Sequence, residues 1–220
     1  MYNRSAYAQS VSEGVNGSLM GRTLGILAVL LLISAVSVAM APVAGTAGMW
    51  IGFGAAIIGT IMVSRRVEHA GSAFAWGVVV AIGMGLMAAP FIWQVAITDP
   101  RLLGTSFVVL LLAVATTAMM VSWLPWDFSR LAPLLFLGLL MMIVTSLLSW
   151  VIPGLTGVVL SKTFNLIGVL VFIGYLLVDF SLMRARGRVI PVQGAAVVLA
   201  VALLVDIINL FLFILRLGRR

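Results

Sequence analysis

Two aspartates lie inside long apolar runs, and their chemistry is the first feature of this sequence to explain. Asp179 follows the run 166–178, and Asp206 follows the run 194–205. The four remaining acidic residues fall in the polar N-terminal region or at expected loops, and they are Glu13, Glu68, Asp99 and Asp127. A charge at the centre of a bilayer costs about 2.5–3.5 kcal/mol on insertion scales. Each of the two carboxyl groups therefore needs a partner, contact with water, or a proton.

The simplest arrangement brings the two carboxyl groups together. Two carboxylates in a medium of low dielectric constant cannot both ionise cheaply, so we expect Asp179 and Asp206 to share a proton and titrate as a unit. Asn209 lies three residues after Asp206, on the same helical face, and can donate a hydrogen bond to it. In a hydrated cavity the oxygens of both aspartates also suit transient binding of Ca²⁺, a hard cation.

A nearby cation could regulate the charge of this aspartate pair. Arg65 is expected at the cytoplasmic end of the second helix, on the same side of the membrane as Asp179. Competition between Arg65 and a proton for Asp179 would form a pH-sensitive latch. Two plainer interpretations remain open: Arg65 is a topological anchor, and Asp179 pairs with an arginine of its own loop.

The positions of Asp179 and Asp206 along their helices restrict how the two residues can pair. Along helices Asp179 lies about 8 Å before the basic loop, whereas Asp206 lies about 22 Å beyond Pro191. Straight helices do not place these residues at one level. Direct pairing therefore requires a bent helix or a seventh helix that begins later, near Gly194.

Composition makes the chain an all-α integral membrane protein. Hydrophobic residues are 63% and charged residues 9% of its 220 residues, against about 45–50% and about 25% in soluble domains. Spans of about 20 apolar residues predict seven helices, at 23–43, 47–64, 71–94, 102–124, 131–152, 158–183 and 192–215. The GxxxG pairs at 21/25 and 48/52 and the glycines at 83 and 85 favour close helix packing. Residues 1–22 are interpreted as an N-terminal tail, 23–217 as the transmembrane domain and 218–220 as a basic end.

Charge distribution predicts the orientation. The side that holds the N-terminus carries eight Lys and Arg residues and the other side five, so the N-terminus is expected in the cytoplasm. The arginines at 216, 219 and 220 do not follow this rule, and a re-entrant last helix is the alternative. The basic residues are scattered, which argues against nucleic acid. One histidine and no cysteine argue against a transition-metal site, and no resident cofactor is expected.

Roughly the last 45 residues of the chain resemble the Bax inhibitor-1 (TMBIM) family, and the bacterial YccA/YetJ-like members are the nearest type. The resemblance rests on Gly174-Tyr175-Leu176-Leu177-Val178-Asp179-Phe180, on Ile190-Pro191, and on Leu204-Val205-Asp206-Ile207-Ile208-Asn209-Leu210-Phe211. Arg65, six residues before Gly71, matches a basic position of those homologues. The resemblance implies a seven-helix bundle with the last helix central, a diaspartyl pH sensor at Asp179 and Asp206, a latch at Arg65, and a proton-sensitive Ca²⁺ leak in a bacterial inner membrane.

Two functions remain open. The first is a pH-gated Ca²⁺ leak channel or transporter that uses Asp179 and Asp206. The second is a non-conducting modulator or accessory subunit of another membrane complex, such as a membrane protease. We expect no enzyme activity, because Leu203-Leu204-Val205 precedes Asp206 where an intramembrane aspartyl protease has Gly-x-Gly, and because His69 lies in a loop.

Overall fold

The chain folds as α-helices separated by short connections. The computed structural model describes residues 4–124, 126–186 and 194–219, and within these ranges it contains no β-strand. Its helices are α1 (Arg4–Arg65), α2 (Ala70–Thr98), α3 (Pro100–Trp123), the 3₁₀ turn η1 (Phe128–Leu131), α4 (Ala132–Leu148), α5 (Pro153–Leu160), α6 (Lys162–Arg186) and α7 (Ala195–Gly218).

Seven helical segments of the described residues are long and apolar enough to cross a membrane, which confirms the predicted fold class. They are Leu19–Pro42, Ala47–Arg65, Ala70–Thr98, Pro100–Trp123, Phe128–Leu148, Lys162–Ala185 and Ala195–Gly218. The last is also the most buried of them, with 67% of its most apolar window inside the protein. The observed bounds differ from the predicted ones by at most four residues, as at the sixth segment, which begins at Lys162 and not at 158.

The first two segments belong to one long helix that is broken at Gly45. Gly45 has φ 58° and ψ −158°, a conformation that only glycine adopts readily. Pro42, three residues earlier, removes a backbone donor from the same turn. The break therefore falls in the connection predicted at 42–48. The helix begins at Arg4, so the described part of the predicted tail is helical and continuous with the first segment.

Two of the acidic residues that the sequence placed in loops cap helices. The Asp99 carboxylate accepts a hydrogen bond from the Leu102 backbone N–H at 3.0 Å, and Pro100 occupies the first turn of α3. The Asp127 carboxylate accepts from the Ser129 backbone N–H at 3.1 Å. Caps of this kind satisfy donors that have no partner within the helix. These two carboxylates thus have a structural role.

The chain divides into two compact units, of which the first lies within Met1–Pro90 and Leu182–Leu204. Glycine lets α1 and α2 approach closely there: a Cβ atom at Gly83 would lie 2.6 Å from the Gly52 carbonyl oxygen. The predicted close packing is confirmed at Gly52 and Gly83, but it is wrong at Gly21 and Gly25, where a Cβ atom would meet nothing within 4 Å. Elsewhere in this unit, the Gly194 backbone N–H donates to the Val67 carbonyl at 2.7 Å, which fixes the start of α7 to the α1–α2 connection.

The second unit lies within Phe91–Ser181 and Val205–Arg220. Here the Phe213 ring of α7 packs on the α6 backbone at Gly168, which has no side chain to obstruct it. Leu135 of α4 packs in the same way at Gly174. The contact at Gly168 brings α6 and α7 side by side over the stretch that carries the two aspartates.

Candidate functional site

Asp179 of α6 and Asp206 of α7 lie together inside the second unit. A hydrogen bond joins their side chains, and the two residues are only 8% and 7% exposed. Because a carboxylate carries no hydrogen to donate, a hydrogen bond between two carboxyl groups requires a proton on one of them. The arrangement is therefore a close pair of buried carboxyl groups on two helices, which a proton on either group would join.

The bounds of the helices explain how residues 27 positions apart in sequence meet. Asp179 lies seven residues before the end of α6 at Arg186, which is about 10 Å along the axis. Asp206 lies eleven residues after the start of α7 at Ala195, about 16 Å along the axis. The remaining offset is about one helical turn. The later start near Gly194, one of the two arrangements that pairing required, is the one observed.

Tyr175 is the third polar group at this site. It lies one turn before Asp179 on the same face of α6, and its phenol interacts electrostatically with both carboxyl groups. The Tyr175 ring also contacts Phe172, with 6.1 Å between the ring centroids. Sequence reasoning assigned Tyr175 no role, although its i, i+4 spacing to Asp179 was a usable signal.

Asn209 does not support the pair in the way the sequence suggested. Its amide donates to the backbone carbonyl of Val205 at 2.9 Å, one turn earlier in α7. Among the described residues it forms no hydrogen bond with Asp206. The spacing placed Asn209 on the correct face, but in an apolar surrounding its own backbone is the nearer acceptor.

Arg65 lies at the end of α1 with its side chain exposed. It belongs to the first unit, whereas Asp179 and Asp206 belong to the second. Its role as a latch stays a prediction. The alternative of a local pairing between Asp179 and an arginine of its own loop also stays open, since residues 187–193 lie outside the described part of the chain.

The diaspartyl pair supplies only part of a cation site. Among the described residues, no three acidic, histidine or cysteine side chains come close enough to form a metal cluster. Two carboxyl groups offer four oxygens, whereas Ca²⁺ takes six to eight. Water or backbone carbonyls would have to complete the coordination, which suits an ion in transit better than a resident one.

These features define a class of protein: a helical integral membrane protein with a buried, hydrogen-bonded carboxyl pair between its last two spans. The chain belongs to the Bax inhibitor-1 family, because residues 17–219 match the family model described as inhibitor of apoptosis-promoting Bax1. This confirms the resemblance that the C-terminal motifs indicated.

A curated relative gives the same family with partial coverage. The chain is 33% identical over 129 residues to a "BI1-like protein" of Arabidopsis thaliana. The aligned segment is 57% of this chain and 48% of that protein, so the chain spans about half the length of this relative. The assignment to a bacterial subtype stays a prediction.

Proposed function

We propose that this protein is a proton-sensitive Ca²⁺ leak in which Asp179 and Asp206 form the sensor. The observation that supports the proposal most is the hydrogen bond between two buried carboxyl groups on adjacent membrane-spanning helices. Such a pair changes its charge when the proton concentration changes, and the change falls on the interface between α6 and α7. A purely structural contact between two helices would be built at lower cost from apolar side chains.

The proposed gate couples this proton to Arg65. If the seven spans cross the membrane in turn, the end of α1 with Arg65 and the end of α6 with Asp179 would lie on the same side of the membrane. In the closed state the charged Asp179 would attract Arg65. A proton taken up as the pH falls would remove that charge and release the arginine, so Ca²⁺ flux should rise on acidification.

In this proposal Ca²⁺ is the cargo and needs no permanent site. The carboxyl oxygens of Asp179 and Asp206 would provide transient ligands as the ion passes. Weak and incomplete coordination is an advantage here, because conduction requires that a bound ion leaves again. We further propose that the chain is no enzyme, that it is a YccA/YetJ-like member, and that it resides in a bacterial inner membrane with its N-terminus in the cytoplasm.

The second candidate is a non-conducting modulator of another membrane protein. It is favoured by the span Phe128–Leu148, of which only 6% is buried within the protein. Most of this helix is therefore available to lipid or to a partner, which would be a membrane protease or another complex. In this case the carboxyl pair would stabilise the fold without gating an ion.

Ca²⁺ flux into liposomes that contain the purified protein tests the proposal. Wild-type protein should admit Ca²⁺ with a rate that rises from about pH 8 to about pH 5, and the Asp179→Asn/Asp206→Asn double variant should lose that pH dependence. Asp99→Asn is the matched control, because it removes an exposed carboxylate while asparagine still caps α3. Absence of flux from folded wild-type protein at every pH would exclude the leak and favour the modulator.

A further inference from the structure

A cluster of two arginines lies at the C-terminal end of α7, away from the carboxyl pair. The guanidinium carbon of Arg216 lies 5.3 Å from the centroid of the Phe91 ring and 5.7 Å from that of Phe213. The guanidinium carbon of Arg219 lies 5.5 Å from the same Phe91 centroid. The two cations are therefore at most 10.8 Å apart, the sum of 5.3 and 5.5 Å.

The remaining contacts hold the cluster in place without neutralising it. An Arg219 N–H donates to the Gln94 side-chain carbonyl oxygen at 3.3 Å, and Leu102 of α3 packs against Gly218. Within the described residues neither arginine forms an ion pair with a carboxylate. Two positive charges brought together on one ring without an anion favour a negatively charged ligand.

The common reasons for such arginines do not explain this arrangement. Seven spans that each cross the membrane would put the end of α7 opposite the N-terminus, on the side that carries fewer basic residues, and retention of positive charge in the cytoplasm would then not account for it. An arginine in the last turn does interact favourably with the helix dipole. However, that interaction requires neither a shared phenylalanine ring nor a second guanidinium group.

The position of the cluster indicates the chemistry of the ligand. Arg216 lies in the last turn of a membrane-spanning helix and is half-buried, whereas Arg219 lies just beyond that helix and is exposed. This is the depth at which a bilayer changes from acyl chains to headgroups. The neighbouring α2 presents Trp93 and Ile97 to the surroundings, 39% and 76% exposed, and these side chains can contact acyl chains. A ligand that combines a phosphate with an apolar tail fits both the two arginines and the exposed apolar side chains of α2.

We propose that Arg216 and Arg219 bind the phosphate of an anionic phospholipid at the end of α7. Guanidinium groups form paired hydrogen bonds with phosphate oxygens, and stacking on Phe91 and Phe213 orients them before the lipid arrives. The bound lipid would connect the ends of α2 and α7 within the second unit. This site does not depend on Ca²⁺ conduction.

The test is thermal melting of the purified protein in detergent, titrated with phosphatidylglycerol or with phosphatidylcholine of the same acyl chains. Phosphatidylglycerol should raise the melting temperature of the wild type at lower concentration than phosphatidylcholine. The Arg216→Gln/Arg219→Gln variant should need about thirtyfold more phosphatidylglycerol for the same effect, about fivefold for each arginine. Arg130→Gln/Lys162→Gln is the matched control, since it removes two exposed positive charges elsewhere and should titrate like the wild type.

A single variant and a titration with free phosphate complete the test. Arg219→Gln alone changes an exposed side chain, so it provides the test if the double variant fails to fold. Inorganic phosphate should not reproduce the stabilisation, and if it did so at equal concentration the ligand would be a free phosphate and not a lipid. Two results would overturn the proposal and leave the arginines with only a structural role at the helix end. One is that both lipids raise the melting temperature at the same concentration, and the other is that the control variant needs as much additional phosphatidylglycerol as the Arg216→Gln/Arg219→Gln variant.

Discussion

Gly83→Ala should destabilise the protein because α1 and α2 contact each other through their backbones at this point. A Cβ atom at Gly83 would lie 2.6 Å from the Gly52 carbonyl oxygen and 2.7 Å from the Ala56 backbone nitrogen. Both atoms belong to the α1 backbone, so no side-chain rotation can relieve the overlap. One of the two helices must move instead.

The magnitude follows from the cost of overpacking and the gain in helix propensity. Forcing one additional carbon into a well-packed contact costs about 1–3 kcal/mol. Replacement of glycine by alanine inside a helix returns roughly 0.5–1 kcal/mol. The net loss should therefore be about 1 kcal/mol, and no more than about 2.5 kcal/mol. For a chain of this size the melting temperature falls by about 2–4 °C for each kcal/mol.

Melting followed by tryptophan fluorescence in detergent measures this effect. Gly54→Ala is the matched control, because Gly54 lies two residues from Gly52 in the same helix and a Cβ atom there meets no atom within 4 Å. The control should melt at or slightly above the wild-type temperature. If both variants melted together, backbone contact at Gly83 would not determine the stability of this unit.

Two further predictions concern the α1–α2 connection. Gly194→Ala should lower the melting temperature, because its Cβ would collide with the Val67 carbonyl that accepts the 2.7 Å hydrogen bond from Gly194, whereas Gly71→Ala, which meets no atom within 4 Å, should not. Arg65→Ala should increase Ca²⁺ entry into liposomes at neutral pH if Arg65 is the latch, and Arg66→Ala should leave the flux near wild type. Equal flux from both arginine variants would reduce Arg65 to a topological anchor.

The sequence predicted the spans well because long apolar runs end at residues that helices tolerate poorly. The break between the first two spans is an example, since Pro42 and Gly45 are visible without a structure. The start of the sixth span was missed for a local reason. Ser161 lies inside an apolar run, and its hydroxyl accepts a hydrogen bond from the Phe164 backbone N–H at 3.1 Å, which starts a new helix. Hydropathy does not register a single capping hydroxyl.

The site was predicted in part. The cost of a membrane charge identified Asp179 and Asp206, but their contact depended on where α7 begins, and the observed start, three residues later than predicted, shortens the offset between them by about 5 Å. The arginines at the end of α7 could be read from sequence only as exceptions to the charge rule. Their convergence on Phe91, more than 120 residues away in sequence, is a tertiary contact that no local pattern contains.

The central claim is that Asp179 and Asp206 share a proton, and infrared spectroscopy of the protein in lipid tests it most directly. A protonated carboxyl group has a C=O stretching band separate from that of carboxylates, and the band shifts in heavy water. We expect wild-type protein to show this band, its intensity to change over the same pH range as the Ca²⁺ flux, and the Asp179→Asn/Asp206→Asn variant to lack it. A wild-type spectrum without the band anywhere between about pH 5 and about pH 8, or an unchanged band in the double variant, would contradict the account.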